Sequence, residues 1–258
     1  VAVISFLSDY GLSSSAVGTI KGVMLRIAPD AVFVDLTHLI RPQDLLVARF
    51  ELMNAYHSFP AGTVHLAVVD PDAPIRARAV AFRTREYFFV GPDNGIFDGV
   101  LDQEQVLEAV ELKSPDTGMR LFRGRDVFAP AAAALAAGKP LSTLGEPILP
   151  EGLTRFKVDL ASRQQETIRG QVQIVDNFGN LITNIPSDWV RDRQWEVRVA
   201  GHRFYYPARG TERGRLQGQV ASHGFVQLVF EGDNCAKRLG VTVGQLVVMQ
   251  PLEPSPKQ

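Results

Sequence analysis

A single cysteine, Cys235, stands in the whole chain, which excludes an intrachain disulfide and a cysteine-rich zinc site. That usage suits a reducing compartment, and the cytoplasm is the expected location. An excess of charge of one sign is also missing. Lys plus Arg number 27 and Asp plus Glu 28, for a formal net charge of −1. Such a balance gives no long-range field for DNA, RNA or an anionic membrane, so neither nucleic acid nor membrane is an expected partner. Long hydrophobic runs are absent too. The most apolar stretch, Val127 to Ala137, is alanine-rich and holds Pro130. It falls well short of the roughly 20 residues that span a bilayer. The opening run Val1–Leu7 lacks a basic flank and reads as a strand, not a signal peptide. No repeat or low-complexity tract occurs, and only the tail Pro251–Gln258 reads as unstructured. There is no HExxH, no Walker sequence, no GxGxxG after a strand and no GxSxG elbow.

What remains is ordinary globular composition, 45% hydrophobic and 21% charged over 258 residues, enough for a sizeable core. The first half alternates strand and helix signals. Val1–Leu7, Ala31–Leu36 and Val64–Val69 read as buried strands. Ser13–Ser15 are candidates to cap a helix whose apolar face is Val17, Ile20, Met24 and Ile27. Pro42 and Asp44 open a second helix carrying Leu45, Leu46, Phe50 and Met53. Ala79–Phe82 and Tyr87–Val90 suggest a hairpin. Asp126 is a candidate cap for a helix through Ala137, stopped by Gly138-Lys139-Pro140. From Thr167 the segments become short, β-rich and turn-separated: Ile168–Val175, Leu181–Ile185, Trp195–Val199, Phe225–Phe230 and Gln245–Gln250. The expected architecture is an α/β N-terminal domain with a central sheet over 1–155 and a smaller all-β, barrel-like C-terminal domain over 165–258.

Three carboxylates, Asp9, Asp35 and Asp70, sit at strand exits, where open α/β sheets bind ligands. A cluster there can hold a metal, grip a hydroxylated ligand or handle a proton, and each Asp alone can equally cap a turn. Gly91-Pro92-Asp93-Asn94-Gly95 is a rigid turn. Asp176-Asn177-Phe178-Gly179-Asn180 is either a tight turn or a purine clamp, since an Asn amide pairs with an adenine edge and a Phe stacks on its face. His38 and His65 do not form a metal set. Ser222-His223-Gly224 reads as a turn before the Phe225 strand, and a catalytic triad through His223 is disfavoured because adjacent Ser and His side chains in a strand point to opposite faces.

Taken together, several stretches resemble the S-adenosylmethionine hydrolase family, also called SAM hydroxide adenosyltransferases, relatives of the fluorinating and chlorinating enzymes. They are SDYG (Ser8–Gly11), VGTIKGV (Val17–Val23), DLTHLIRPQD (Asp35–Asp44), FPAGTVHLAVVDP (Phe59–Pro71), FVGPDNGIF (Phe89–Phe97), GRDVFAPAAA (Gly124–Ala133), DNFGNLITNI (Asp176–Ile185) and SHGF (Ser222–Phe225). The resemblance implies an α/β domain, a barrel-like domain and a homotrimer with sites between neighbouring subunits. It implies attack of water or hydroxide on the ribose C5′ of S-adenosylmethionine, releasing adenosine and methionine. The sulfonium leaves as a neutral thioether, so an in-line nucleophile and a held ribose suffice. No cofactor or metal is implied beyond S-adenosylmethionine as substrate.

By the same resemblance Asp9 holds the ribose hydroxyls and Phe122 lines the pocket beside C5′. Asp176, Phe178 and Asn180 hold the methionyl end and adenine, and Ser222 binds the methionine carboxylate. The halogenating relatives carry Tyr where this chain has Asp70, which favours water over halide. Gly124 stands where the fluorinating enzyme has a serine. Two family residues are replaced: FHGRD reads FRGRD, putting Arg123 at the catalytic His, and the catalytic Arg falls on Ala77, between Arg76 and Arg78. Ser14 stands where the family usually has Asp. The catalytic candidates are therefore Asp70, Arg123, Arg76 and Arg78. Arg123 stays charged and cannot act as a base, but it can lower the pKa of a bound water for Asp70 to deprotonate. A second reading is a non-catalytic adenosine or S-adenosylmethionine binder, given those replacements. A third, from the carboxylates alone, is a magnesium-dependent phosphate-handling enzyme.

Overall fold

The computed structural model describes residues 1–69, 77–114, 122–156, 161–191, 193–207 and 216–252. The chain divides into two compact units, Val1–Phe156 and Lys157–Gln258.

The first unit is built on a seven-stranded sheet in the order β2-β1-β3-β5-β4-β6-β7. Its strands are β1 (Val3–Ser8), β2 (Val32–Thr37), β3 (Val64–Val68), β4 (Ala79–Arg83), β5 (Phe88–Pro92), β6 (Glu108–Leu112) and β7 (Gly145–Pro147). The β2-β1-β3-β5 half is parallel, and the β5-β4-β6-β7 half is antiparallel. Two pairs of helices explain the continuous apolar runs of β1 and β3. Ile4, Phe6, Val64, Leu66 and Val68 share one core with α1 (Ala16–Ile27) and α4 (Ala129–Ala136). Leu7, Ala67 and Val69 share a second core with α2 (Leu45–Ala55) and α3 (Asp98–Leu101).

Several sequence expectations need correction. The Ala31–Leu36 run becomes β2, but at the sheet's open edge, where Val32 is 48% and Val34 36% exposed. An apolar run alone does not say whether a strand has a neighbour on each side. In α1, Val17, Ile20 and Met24 are buried, whereas Ile27 in the last turn is 36% exposed. Ser15 occupies the cap of α1 without a side-chain bond, while Ser14 Oγ accepts from Ala16 N at 3.4 Å. Asp44 does cap α2, accepting from Val47 N at 3.1 Å. Asp126 caps nothing ahead of it. It lies inside a π-helical turn, Gly124–Phe128, that precedes α4, and its Oδ2 reaches back to accept from Phe122 N at 2.9 Å.

The second unit is an antiparallel-rich barrel. Its strands are β8 (Ser162–Gln164), β9 (Thr167–Val175), β10 (Leu181–Pro186), β11 (Trp195–Val199), β12 (His202–Tyr206), β13 (Leu216–Val220), β14 (Phe225–Phe230) and β15 (Leu246–Pro251). The order is β10-β14-β13-β12-β11-β15-β9-β8, and β10 also pairs with β9. That extra pairing closes seven strands into a ring and leaves β8 outside, on β9. Closure removes the exposed edges an open sheet presents. Trp195, Val197 and Val199 alternate inward with Ile168, Val172, Leu181, Val247 and Met249. Ala200 and Gly201 carry φ of 47° and 79°, the paired positive values that join the tight β11–β12 hairpin. The short helix α5 (Cys235–Leu239) buries Cys235, whose thiol burial pushes up to about 12. Among the described residues no helix is long and apolar enough to cross a membrane. Residues 253–258 of the tail lie outside the described residues.

Candidate functional site

In the first unit, Asp9 follows β1. Gln43, just ahead of α2, donates its backbone N–H to Asp9 Oδ2 at 3.0 Å. Gln43 takes a φ of 67° to do so, a conformation that costs a side-chain-bearing residue energy. Behind Asp9, Ser8 Oγ lies 2.8 Å from His38 Nδ1. Asp35, the second carboxylate, accepts from Lys21 Nζ at 2.6 Å and lies 3.1 Å from His38 Nε2. Burial alone raises the Asp35 carboxyl, but Lys21 and His38 outweigh it and hold the group below its ordinary value. From the sequence His38 is weighed only as a metal ligand beside His65. Its one visible signal was a polar ring two residues past an apolar strand.

Asp70 and Arg76 lie outside the described residues, as does Asp72. Arg123 is described. Its Nη2 donates to the Ala77 carbonyl at 2.7 Å, and its guanidinium sits 5.0 Å over the Phe128 ring. Arg78 is tied to the buried Asp93 through Nε at 3.0 Å and Nη2 at 2.5 Å, and to the Gly152 carbonyl at 2.6 Å. Phe122 packs edge-on against Tyr10 at 5.4 Å, with Arg125 5.8 Å from its ring. The Arg125 guanidinium beside Asp126 holds that carboxyl below the usual range.

Two features have local structural work. Asn94 Nδ2 donates to the Val69 carbonyl at 2.8 Å, bracing the turn after β5. His65 bonds Ser5 Oγ at 2.7 Å inside a ring of Tyr56, Phe59, Tyr87 and Phe89, and burial drives its pKa down to about 3. Among the described residues no three His, Cys, Asp or Glu side chains group to hold a metal ion.

In the second unit, the turn between β9 and β10 is braced by Asp176. Its Oδ1 accepts from Phe178 N at 2.9 Å and Asn180 N at 2.8 Å, and its Oδ2 from Asn180 Nδ2 at 2.8 Å. Phe178 is thereby held outward with 80% of its surface exposed. Gly179 has no alternative: its φ is 85°, and a Cβ would lie 2.1 Å from Asn234 Cγ. Ser222 is exposed in the turn before β14, where Gly224 N donates to the Ala221 carbonyl at 3.1 Å. Burial lowers the neighbouring His223, while Gln227 and the Asp176 carboxylate raise it. The Asp176 and Ser222 turns are thus within electrostatic reach of each other. Sequence spacing, 46 residues apart, did not reveal that.

These residues sit in a chain with extensive likeness to known proteins. A protein of Salinispora arenicola named (R)-S-adenosyl-L-methionine hydrolase is 38% identical over 249 residues, covering 93% of this chain and 95% of its own. One of the same name from Thermus thermophilus is 36% identical, covering 94% and 97%. A fluorinase of Nocardia brasiliensis is 29% identical over 71% of each chain. The crystal structure of an uncharacterized conserved protein from Thermotoga maritima superposes with a TM-score of 0.87 at 33% identity, covering 96% of this chain and 99% of that one. The SAM hydroxide adenosyltransferase N-terminal domain matches residues 4–145 and the C-terminal domain residues 170–248, and the chain belongs to that family.

Proposed function

We propose that this chain hydrolyses S-adenosyl-L-methionine to adenosine and methionine. Water attacks the ribose C5′, the C5′–S bond breaks, methionine leaves as a neutral thioether, and one proton is released. The relatives of that activity, 36–38% identical over almost the whole chain, support the reaction class. Asp9 takes the ribose hydroxyls, Phe122 borders C5′, Asp176, Phe178 and Asn180 hold adenine and the methionyl end, and Ser222 binds the carboxylate.

The observation that carries the chemistry is the reach of Arg123. Its guanidinium bonds the backbone of Ala77, the position to which the family resemblance assigns an arginine. A cation is therefore available at Ala77. In this reading Arg123 lowers the pKa of the attacking water and Asp70 accepts the proton. Arg78 is paired with Asp93, and this reading gives the proton-handling roles to Arg123 and Asp70. The ligand set drawn from the first unit and that from the second come together between neighbouring subunits of a homotrimer.

Incubation with S-adenosylmethionine and chromatography of the products tests the reaction. Adenosine should accumulate with the wild-type chain and not with Asp70→Asn, while Arg123→His preserves or raises the rate. A wild-type protein that binds the substrate yet releases no adenosine over hours is instead a binding protein.

A further inference from the structure

Three side chains behind the Asp9 loop line up as serine, histidine and aspartate, through the Ser8–His38 contact at 2.8 Å and the His38–Asp35 contact at 3.1 Å. The order is that of a hydrolytic triad. Ser8 and His38 are only 0% and 3% exposed, however, so no substrate reaches the hydroxyl. The proposed reaction does not use them either.

Their polarity points to another task. A carboxylate only accepts hydrogen bonds, so the His38 proton belongs on Nε2, facing Asp35, although the approach is off the straight-line direction. Nδ1 then accepts from the Ser8 hydroxyl, and Ser8 Oγ in turn accepts from Tyr10 N at 3.4 Å. The His38 carbonyl accepts from Gly11 N at 2.8 Å. One residue thus grips the chain just before Asp9 through its ring and just after it through its backbone. The ring itself is fixed by the Phe6 edge at 4.6 Å and, through Asp35, by Lys21 of α1. Gln43 N holds the Asp9 carboxylate from the other side.

We propose that His38 is a positioning residue, which with Ser8 and Asp35 sets the Asp9 loop so that its carboxylate meets the ribose without rearranging. The inference rests on the reading of Asp9 as the ribose ligand. Fixing a ligand-binding group in advance saves the cost of ordering it on binding.

Calorimetry with adenosine tests it, on Ser8→Ala, His38→Gln and His38→Ala, each alone and combined with Asp9→Ala. Ser8→Ala deletes one hydroxyl and keeps the packing. Ser8→Ala and His38→Ala should each raise Kd about fivefold, the scale of one net hydrogen bond. His38→Gln, whose amide can donate toward Asp35 and accept from Ser8, should recover part of the loss. Once Asp9 is alanine, none of the three should raise Kd further, because the effect travels through that carboxylate. Equal rises in both backgrounds would mean a merely structural role and overturn the inference. So would unchanged affinity in Ser8→Ala and His38→Ala while Asp9→Ala binds weakly. If Asp9→Ala binds as tightly as wild type, the ribose assignment itself fails, and the positioning role with it.

Discussion

Gly124→Ala should destabilise the first unit, against the usual direction for a helical glycine. Replacing Gly by Ala inside an exposed helix normally gains up to about 1 kcal/mol. Here Gly124 is buried at the start of the π-helical turn. A Cβ would lie 2.5 Å from Tyr10 Oη, 2.9 Å from Ile20 Cδ1 and 3.2 Å from Tyr10 Cζ. Tyr10 cannot simply swing aside, because it packs edge-on against Phe122, and Ile20 is fully buried. Overpacking of this kind costs about 1–3 kcal/mol, so after a propensity gain of about 1 kcal/mol the net loss should be up to about 2 kcal/mol. Urea denaturation measures it. Tyr10→Phe removes the nearest atom, and in that background the cost of Gly124→Ala should shrink by about half or more. The loop carrying Asp9 leads directly into Tyr10, so adenosine affinity should fall alongside stability. A stabilising Gly124→Ala, or an equal cost in both backgrounds, would refute the contact between the π turn and the Asp9 loop.

Asp176→Ala removes the acceptor of three hydrogen bonds in one turn, and should cost about 1.5–3 kcal/mol in urea unfolding while freeing Asn180 and weakening adenosine binding. Retained stability would mean that the turn's backbone bonds, Gly179 N to the Asp176 carbonyl and Asp176 N to the Asn180 carbonyl, suffice to hold it. His65 gives a pH dependence with a definite sign. Burial holds it at about 3 against an ordinary 6.5, so between those values the unfolded chain binds a proton the folded chain refuses. Stability should therefore fall as pH drops through that window, by up to ~1.4 kcal/mol per unit. Ser5→Ala/His65→Phe should flatten the acid slope in thermal unfolding, and an unaltered slope would assign it elsewhere. If the chain assembles as the proposed homotrimer, light scattering should give about three times the 28.3 kDa chain mass, and mixing Asp9→Ala with Asn180→Ala chains should restore some adenosine release. No recovery would place each site within a single chain.

Much of the fold was legible because burial on both faces leaves a simple mark. β1 and β3 read as continuous apolar runs, and the capping Asp44 announced α2. Strands β6, β7, β8, β12 and β13 were not read from the sequence, and for three of them the pattern is weak for physical reasons. β7 and β8 are three residues each, and β8 is exposed along its length on the outside of the barrel. β13, with its Gln217-Gly218-Gln219 centre, is identified by its pairing with β14, not by its own apolarity. The edge position of β2 was illegible for the opposite reason: Val32 and Val34 look like core residues whether or not a neighbouring strand exists.

The candidate site splits along a similar line. Positions fixed by local backbone demands were readable, as with Gly179, where a left-handed turn and the Asn234 side chain leave room for no Cβ. What depends on a side chain's reach was not. The family resemblance implies two replacements in this chain, Ala77 at an arginine position and Arg123 at a histidine position. In space the two positions are linked, since the guanidinium from position 123 bonds the backbone at position 77. One cation stands where the family pattern supplies a cation and a histidine. The group that titrates near neutrality is the one replaced. A guanidinium can polarise a water but never take its proton. In the proposed reaction the proton must therefore go to the Asp70 carboxylate or to solvent. For that reason Asp70→Asn, rather than any change at Arg123, tests where the proton goes.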